Sequence, residues 1–396
     1  MAKNRLFLIL LLAVLVLPAF AQKEQFNPVY TGVTSLSIAP DARAGAMGDV
    51  GVATDPDVFS QYWNPAKYPF NIARAGVAMS YTPWLRQLVN DIDLINLAGF
   101  YRIGDYSAVS ASLTYFSLGE VTMLNNDMTI KPYEMAFDVA YSRMLSENLS
   151  AAIALRAIYS DLQYSMDEDV EPGKAFAADI ALYYNNYIIL GDRECMLGLG
   201  MNISNIGTKI SYDGGATNEF IPTNLRFGAS LLYPIDEYNT ISFSVDINKL
   251  LVPTRPTYAQ FLEEKGYSPD EQGLQSEYAS WLDEEGYNDI SSISGIFKSF
   301  NDAPGGMSEE LKEIYGGIGV EYCYNQQFSL RAGYHYENEF KGNRKYYTLG
   351  AGFKMSVFSL DGAYLISAAQ SNPLDQTLRF SLSFDMDGLR DLFRRY

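Results

Sequence analysis

The chain has 396 residues, of which 14% are aromatic, yet its mean hydropathy is only -0.09. Its formal net charge of -18 excludes nucleic acids as partners, because a strongly acidic surface repels phosphate backbones. Aromatic excess at near-neutral hydropathy is typical of strands that have one face in lipid and the other in water.

The first 21 residues have the pattern of a secretory signal peptide. A cationic start with Lys3 and Arg5 precedes an apolar run over 6–17 and an Ala-x-Ala exit that ends at Ala21. That run is too short to span a bilayer permanently, although a retained anchor is the alternative. Cleavage after Ala21 removes two cations and no acid, and takes the formal charge from -18 to -20. Since Gln22 is not Cys, nothing supports lipoprotein processing.

Residues 22–71 are rich in Gly and Ala and lack the alternation of a strand. We therefore expect short helices and turns here. A large barrel encloses a lumen that is otherwise an open pore. Small side chains upstream of the first strand predict a hatch, or plug, inside that lumen.

From residue 72 onwards the main signal is an alternation of apolar and polar residues. In the run 327–337, Leu330 and Tyr336 share the apolar face, while Arg331 and His335 share the polar face. The predicted strands are 72–83, 91–103, 106–117, 132–145, 147–161, 174–187, 193–205, 221–233, 238–249, 313–324, 327–337, 344–355, 357–367 and 376–386. The sequence thus predicts an all-β fold, a single closed 14-stranded antiparallel transmembrane β-barrel over 72–386, rather than a soluble β-protein.

The connections between these strands alternate in length. Even connections such as Gly104-Asp105 and Asn325-Gln326 are tight, and odd ones are longer, as in outer-membrane barrels with short periplasmic turns and long extracellular loops. This predicts an outer-membrane location with both termini in the periplasm. Cys195 and Cys323 then lie three strands apart, too far for a disulfide, so we expect two free cysteines.

The fifth outer loop, about 250–312, is the longest, and loops of this length are usually functional or disordered. Apolar residues at helical spacing within an acidic stretch predict short amphipathic helices above the rim. Two interpretations stay open. The aromatic stripe packs down as a lid, or it forms an adhesive surface for a partner. The partner-binding candidates here are Tyr258, Phe261, Tyr278 and Trp281.

The first outer loop and the C-terminal tail carry two further predictions. Trp84 and Leu85 are apolar for an outer loop and are partner-binding candidates, although Trp84 also suits the aromatic girdle of a membrane barrel. The tail 387–396 has apolar and basic faces and predicts a short periplasmic helix.

The hatch motif Trp63, Asn64, Pro65 and Ala66, ahead of fourteen strands, resembles the FadL-like outer-membrane family, whose N-terminal segment forms a hatch in the barrel. The stretches 39–49, 246–254 and 330–337 are similar to the PorV family of the type IX secretion system of Bacteroidetes bacteria. This resemblance implies a protein that is surrounded by outer-membrane lipids and carries secreted cargo proteins. Its implied partners are the giant translocon barrel, the C-terminal signal domains of secreted cargo and the surface sortase and attachment complex.

The sequence contains no recognisable catalytic, cofactor-binding or metal-ligating constellation. Its single histidine, His335, lies on the lumen face beside Arg331 and Glu337. We therefore expect no enzyme activity and no cofactor. Two alternatives stay open: a FadL-type channel for hydrophobic small molecules, and a lipopolysaccharide deacylase, for which no nucleophile and base can be named.

Overall fold

The computed structural model describes residues 26–86, 89, 91–123, 128–162, 171–215, 218–268, 273–355, 357–368 and 374–386. The predicted signal peptide and the predicted C-terminal tail lie outside these residues. Within the described ranges, no helix is both long enough and apolar enough to cross a membrane.

Fourteen antiparallel strands form one closed barrel within the described residues, which confirms the predicted fold class. They are β1 (Ala75–Pro83), β2 (Ile92–Ile103), β3 (Ser107–Leu118), β4 (Tyr133–Met144), β5 (Leu149–Asp161), β6 (Gly173–Leu190), β7 (Arg193–Gly207), β8 (Asn224–Pro234), β9 (Asn239–Leu250), β10 (Tyr315–Tyr324), β11 (Phe328–Tyr336), β12 (Tyr346–Lys354), β13 (Phe358–Ser367) and β14 (Leu378–Asp385). Each strand pairs with its neighbours in chain order, and β1 pairs with β14 to close the sheet.

The two faces of the wall follow the predicted alternation. On β11, Leu330 is 63% exposed on the outside, whereas Arg331 and His335 point inward and are buried. Successive side chains of a strand point to opposite faces, so an apolar exterior and a polar lumen result together.

Most strand boundaries differ from the prediction by one to three residues, and two of these differences have identifiable reasons. β6 continues to Leu190, because Tyr187 and Ile189 extend the exposed apolar face, and a two-residue turn then follows. β8 begins at Asn224 rather than at residue 221, since Pro222 has no N–H to donate to a neighbouring strand.

The connections sort by length, as predicted. One end of the barrel, here called the turn end, has connections of two to four residues. The other, here called the loop end, has the segments 84–91, 119–132, 162–172, 208–223, 251–314, 337–345 and 368–377. The second of these holds a hairpin of Val121–Met123 and Met128–Ile130. Cys195 and Cys323 lie on β7 and β10 and are both free, which confirms that prediction.

Short helices occur only before β1 and in the longest loop within the described residues. The first group is a 3-10 helix (Thr34–Ser37), α1 (Ala42–Gly45), α2 (Ser60–Trp63) and a 3-10 helix (Pro65–Phe70). The second group is α3 (Tyr258–Lys265), α4 (Gln275–Glu284), α5 (Ser292–Lys298), α6 (Met307–Glu310) and a 3-10 helix (Leu311–Glu313).

Candidate functional site: the filled lumen and loop five

Residues 26–71, here called the lumen segment, pack against inward-facing residues of the wall. Glycines on the lumen face let the two backbones approach closely. A Cβ atom on Gly333 of β11 would overlap the backbone of Met47 and Gly48, and one on Gly317 of β10 would overlap the Gly48 carbonyl. The wall and the lumen segment are therefore fitted to each other at the level of the main chain.

A buried ionic network joins helix α1 to three strands. The Arg43 guanidinium contacts Asp57 and Glu321, each at 3.0 Å. Glu321 of β10 also accepts a hydrogen bond from Arg331 of β11 at 2.5 Å, and Arg331 contacts Asp361 of β13 at 2.6 Å. Two guanidinium groups thus lie among three carboxylates, so each buried cation contacts two carboxylates, as buried charges require.

A second network lies beside the seam between β1 and β14. Asp49 accepts hydrogen bonds from Arg379 of β14, at 2.5 Å, and from the Tyr346 hydroxyl. His335 Nδ1 lies 3.2 Å from the Gly48 carbonyl, and its ring stacks on Tyr346. The single histidine is thus a contact between the wall and the lumen segment.

The third network joins the lumen segment to β4, β5 and β6. Gln61 donates to Asp138 of β4 at 2.5 Å. Asp138 and Asp179 of β6 both contact Arg156 of β5, at 3.5 Å and 3.0 Å. The lumen segment therefore has polar contacts on opposite sides of the barrel.

The hatch motif is wholly buried within this arrangement. Trp63 Nε1 donates to Asp41 at 2.6 Å, and the Asn64 amide donates to the Leu182 carbonyl of β6 at 2.9 Å. The Asn64 side chain also accepts from the Ala66 N–H and caps the 3-10 helix that starts at Pro65. Asn64 thus fixes both a helix start and a wall contact.

The segment 251–314, here called loop five, folds around its own apolar core. The buried side chains of this core come from loops four and five: Phe220, Val252, Phe261, Leu262, Leu274, Trp281, Leu282 and Tyr287. Thr257 and Gln260 form a capping box at the start of α3, and Gly266 ends it in a left-handed conformation. The predicted short helices are confirmed.

Ion pairs fasten loop five to the rim. Lys249 at the end of β9 contacts Glu310 and Glu313 at 2.9 Å and 2.6 Å, and Lys341 in the next long loop contacts Glu309 and Glu313 at 2.5 Å and 3.0 Å. These groups are largely buried, so loop five has a defined attachment.

Asp302 adds a titratable contact to this attachment. Its carboxylate accepts hydrogen bonds from the Thr254 N–H and hydroxyl, both at 3.1 Å. Burial raises the pKa of Asp302 to about 6, although these hydrogen bonds favour the charged form.

The four partner-binding candidates of loop five fall into two pairs. Phe261 and Trp281 are 1% and 4% exposed, with ring centroids 5.6 Å apart, so they hold the loop together and are not an adhesive surface in this conformation. Tyr258 and Tyr278 are half-buried at the edge of the same core. The first pair is thus part of the core of the loop.

The structure leaves other loop residues accessible. In the first loop, Trp84 and Leu85 are half-buried at the rim. In loop five, Ile293, Phe297 and Phe300 are exposed, although the sequence interpretation did not single them out. The sequence pattern that distinguishes these three residues is a stretch without acidic residues inside a strongly acidic loop.

No group of three or more His, Cys, Asp or Glu side chains is arranged to hold a metal ion in the described part of the chain. His335, the one histidine of the sequence, is 4% exposed.

The family model described as type IX secretion system protein PorV matches residues 20–257, more than half of the chain. The chain belongs to the PorV family. As a PorV-family protein it is an outer-membrane component of the type IX secretion system. None of the curated proteins matches it.

Several solved barrels are similar to this PorV-family chain. The toluene transporter TodX of Pseudomonas putida has 10% identity, covers 92% of this chain and 99% of its own, and has a TM-score of 0.47. A FadL homologue of Pseudomonas aeruginosa has 11% identity, coverage of 91% and 99%, and a TM-score of 0.42. LpxR from Salmonella typhimurium has 9% identity, coverage of 78% and 99%, and a TM-score of 0.33.

Proposed function

We propose that the chain is a cargo shuttle. It binds secreted proteins through their C-terminal signal domains, receives them at the giant translocon barrel and carries them to the surface sortase and attachment complex. The observation that carries this proposal is the filled lumen, joined to the wall by buried charges on several strands. Because the lumen segment occupies the interior, we place partner binding on the outer surface of the barrel and on its loops.

The orientation follows from the lengths of the connections. Outer-membrane barrels keep short turns in the periplasm and long loops outside. We therefore assign the turn end to the periplasm and loop five to the cell surface, where delivery to an attachment complex takes place. The described chain begins at the loop end, because the Asn27 N–H donates to the Phe340 carbonyl and the Gly32 N–H donates to the Phe220 carbonyl, both at 2.8 Å. This assignment puts residues 27–32 on the outer side of the barrel, against the predicted periplasmic start of the mature chain.

Loop five is the proposed docking platform. Its ionic attachment and its core give a partner a preformed surface, which limits the ordering cost of binding. Tyr258 and Tyr278 at its edge, and Trp84 and Leu85 across the rim, are the proposed contacts. Phe261 and Trp281 maintain the shape of this surface from within.

Affinity isolation from native membranes in mild detergent tests this function. The expected companions are a giant barrel and folded secreted proteins. A Tyr258→Ala/Tyr278→Ala variant should lose secreted proteins, whereas the exposed Glu285→Ala variant should retain them. Recovery of the barrel without either class of companion contradicts the proposal.

The same preparation separates the two alternatives. A FadL-type channel requires the lumen segment to move, and would show bound apolar molecules in the lumen and conductance in a planar bilayer. A deacylase would remove acyl chains from lipopolysaccharide, and His335→Ala would abolish that activity. His335 is enclosed against Gly48 and Tyr346, so lipopolysaccharide does not reach its ring in this conformation.

A further inference from the structure

Helix α5 and the turn that follows it expose apolar side chains of the kind that α3 and α4 bury. Ile293, Phe297 and Phe300 are 56%, 73% and 46% exposed. Their spacing of four and three residues puts them on one helical face. The opposite side is buried, because Gly295 contacts Pro253 there. The exposed stripe therefore points away from the core of loop five.

The position of α5 relative to the wall identifies what this stripe meets. The helix lies near β7, and Lys209, two residues after the end of β7, donates to the Asn288 carbonyl just before α5 at 2.8 Å. At that level Gly207 of β7 pairs with Ala177 of β6, and the adjacent Phe176 faces outward and is 68% exposed. The wall thus presents an exposed aromatic residue near this end of β6 and β7, on the face that an outer-membrane barrel turns to lipid.

The charged residues of loop five are distributed unevenly between its helices. Residues 258–289 contain nine acids, whereas residues 290–301 contain none and carry Lys298 as their one charge. Lys298 is exposed beside the apolar stripe. Interfacial helices have this composition, with apolar residues toward the acyl chains and cations near anionic headgroups.

We propose that α5 and the turn after it lie in the membrane interface and insert Ile293, Phe297 and Phe300 into the outer leaflet, with Lys298 facing anionic lipid headgroups. The apolar face of such helices lies roughly 5–10 Å into the boundary between headgroups and acyl chains. Lipid thus holds one flank of loop five at the membrane surface, while the acidic helices α3 and α4 face the solvent. This inference depends on the surface location of loop five and not on cargo binding.

Fluorescence quenching in vesicles tests this placement. In a Cys195→Ser/Cys323→Ser background, the variants Phe297→Cys and Ala279→Cys carry an environment-sensitive fluorophore, the second on the exposed face of α4. The purified protein is reconstituted in phosphatidylcholine and phosphatidylglycerol vesicles that contain a nitroxide-labelled lipid. We expect quenching several-fold stronger at residue 297 than at residue 279.

A second pair of variants separates insertion from folding. With the fluorophore at Ile293→Cys, Phe297→Asp should abolish lipid quenching and Phe297→Leu should retain it, while circular dichroism stays unchanged in both. Equal quenching at residues 297 and 279 overturns the proposal. The proposal is also overturned if a co-purifying protein covers residue 297 and shields the label there from the lipid.

Discussion

Asp49 in the lumen segment accepts a hydrogen bond at 2.5 Å from Arg379 in β14, 330 residues later in the chain. Both side chains are largely buried. The contact lies beside the seam where β14 pairs with β1, so the lumen segment is fastened to the strand that completes the barrel.

Arg379→Met should destabilise the protein, because it leaves the Asp49 carboxylate buried without its cation. Breaking a buried ion pair in this way costs about 3–5 kcal/mol. The double variant Asp49→Asn/Arg379→Met should recover part of this loss, since no charge is left unpaired. The measurement is the temperature at which the barrel loses its folded mobility on electrophoresis. A single variant as stable as the wild type would contradict the role of this pair.

Gly333→Ala should displace the lumen segment, because the added methyl group overlaps the backbone of Met47 and Gly48. Overpacking of this kind costs about 1–3 kcal/mol. We expect a lower unfolding temperature and channel-like conductance in a planar bilayer. Gly362→Ala on β13 is the matched control, since no atom lies within 4 Å of its Cβ position. Identical behaviour of the two variants would argue against a close fit at Gly333.

Trp281→Ala should unfold loop five and spare the barrel, because Trp281 packs against Phe261 in a core that is separate from the wall. Truncation of a buried tryptophan costs about 3–5 kcal/mol. We expect rapid proteolysis within residues 251–314 and loss of bound cargo, with an unchanged barrel unfolding temperature. Glu285→Ala, on the exposed side of the same helix end, should leave the loop protected.

Asp302→Asn should remove a pH dependence of loop five. Because the pKa of Asp302 is raised to about 6 from 3.8, the docked loop binds the proton more tightly than the undocked loop. Docking is therefore stabilised as the pH falls through the window between these two values and weakened as the pH rises through it. Partial exposure reduces the effect to about 1 kcal/mol.

In the wild type, proteolysis of loop five should be faster at about pH 7.5 than at about pH 5. Asp302→Asn should show little difference between the two. Burial would raise the pKa of Glu309, but hydrogen bonds from Lys341 and the Gly305 N–H outweigh it and lower that pKa. Protonation of Glu309 therefore weakens the docking of loop five, and it does so only at a pH below the range of this comparison. Equal pH dependence of the wild type and the variant would assign the effect to another group.

The strands can be predicted from the sequence because the alternation of apolar and polar residues is a local pattern. Short polar turns mark where each run of alternation ends. The sequence also predicts which face holds Arg331 and His335. It does not predict that Arg331 meets Glu321 and Arg43, since partners in a lumen depend on register and on the depth of the lumen segment. The alternation shows which face of the wall a side chain lies on, but it does not show how far along the barrel axis its partner lies.

Loop five shows the same limit. Helical spacing predicts α3 and α4, but an amphipathic helix has an apolar stripe whether the stripe is covered by its own loop or by something else. Phe261 and Trp281 are covered, whereas Ile293 and Phe297 are not. The local charge distinguishes the two cases, because acids surround the covered pair and are missing around the exposed pair.

The close contact of Met47 and Gly48 with the wall glycines has a consequence for biogenesis. A segment that fits this closely, with its ion pairs formed, is hindered from entering a completed cylinder. We therefore expect the segment before β1 to enter while the β1 and β14 edges are still apart, so that joining those edges is the final step of assembly.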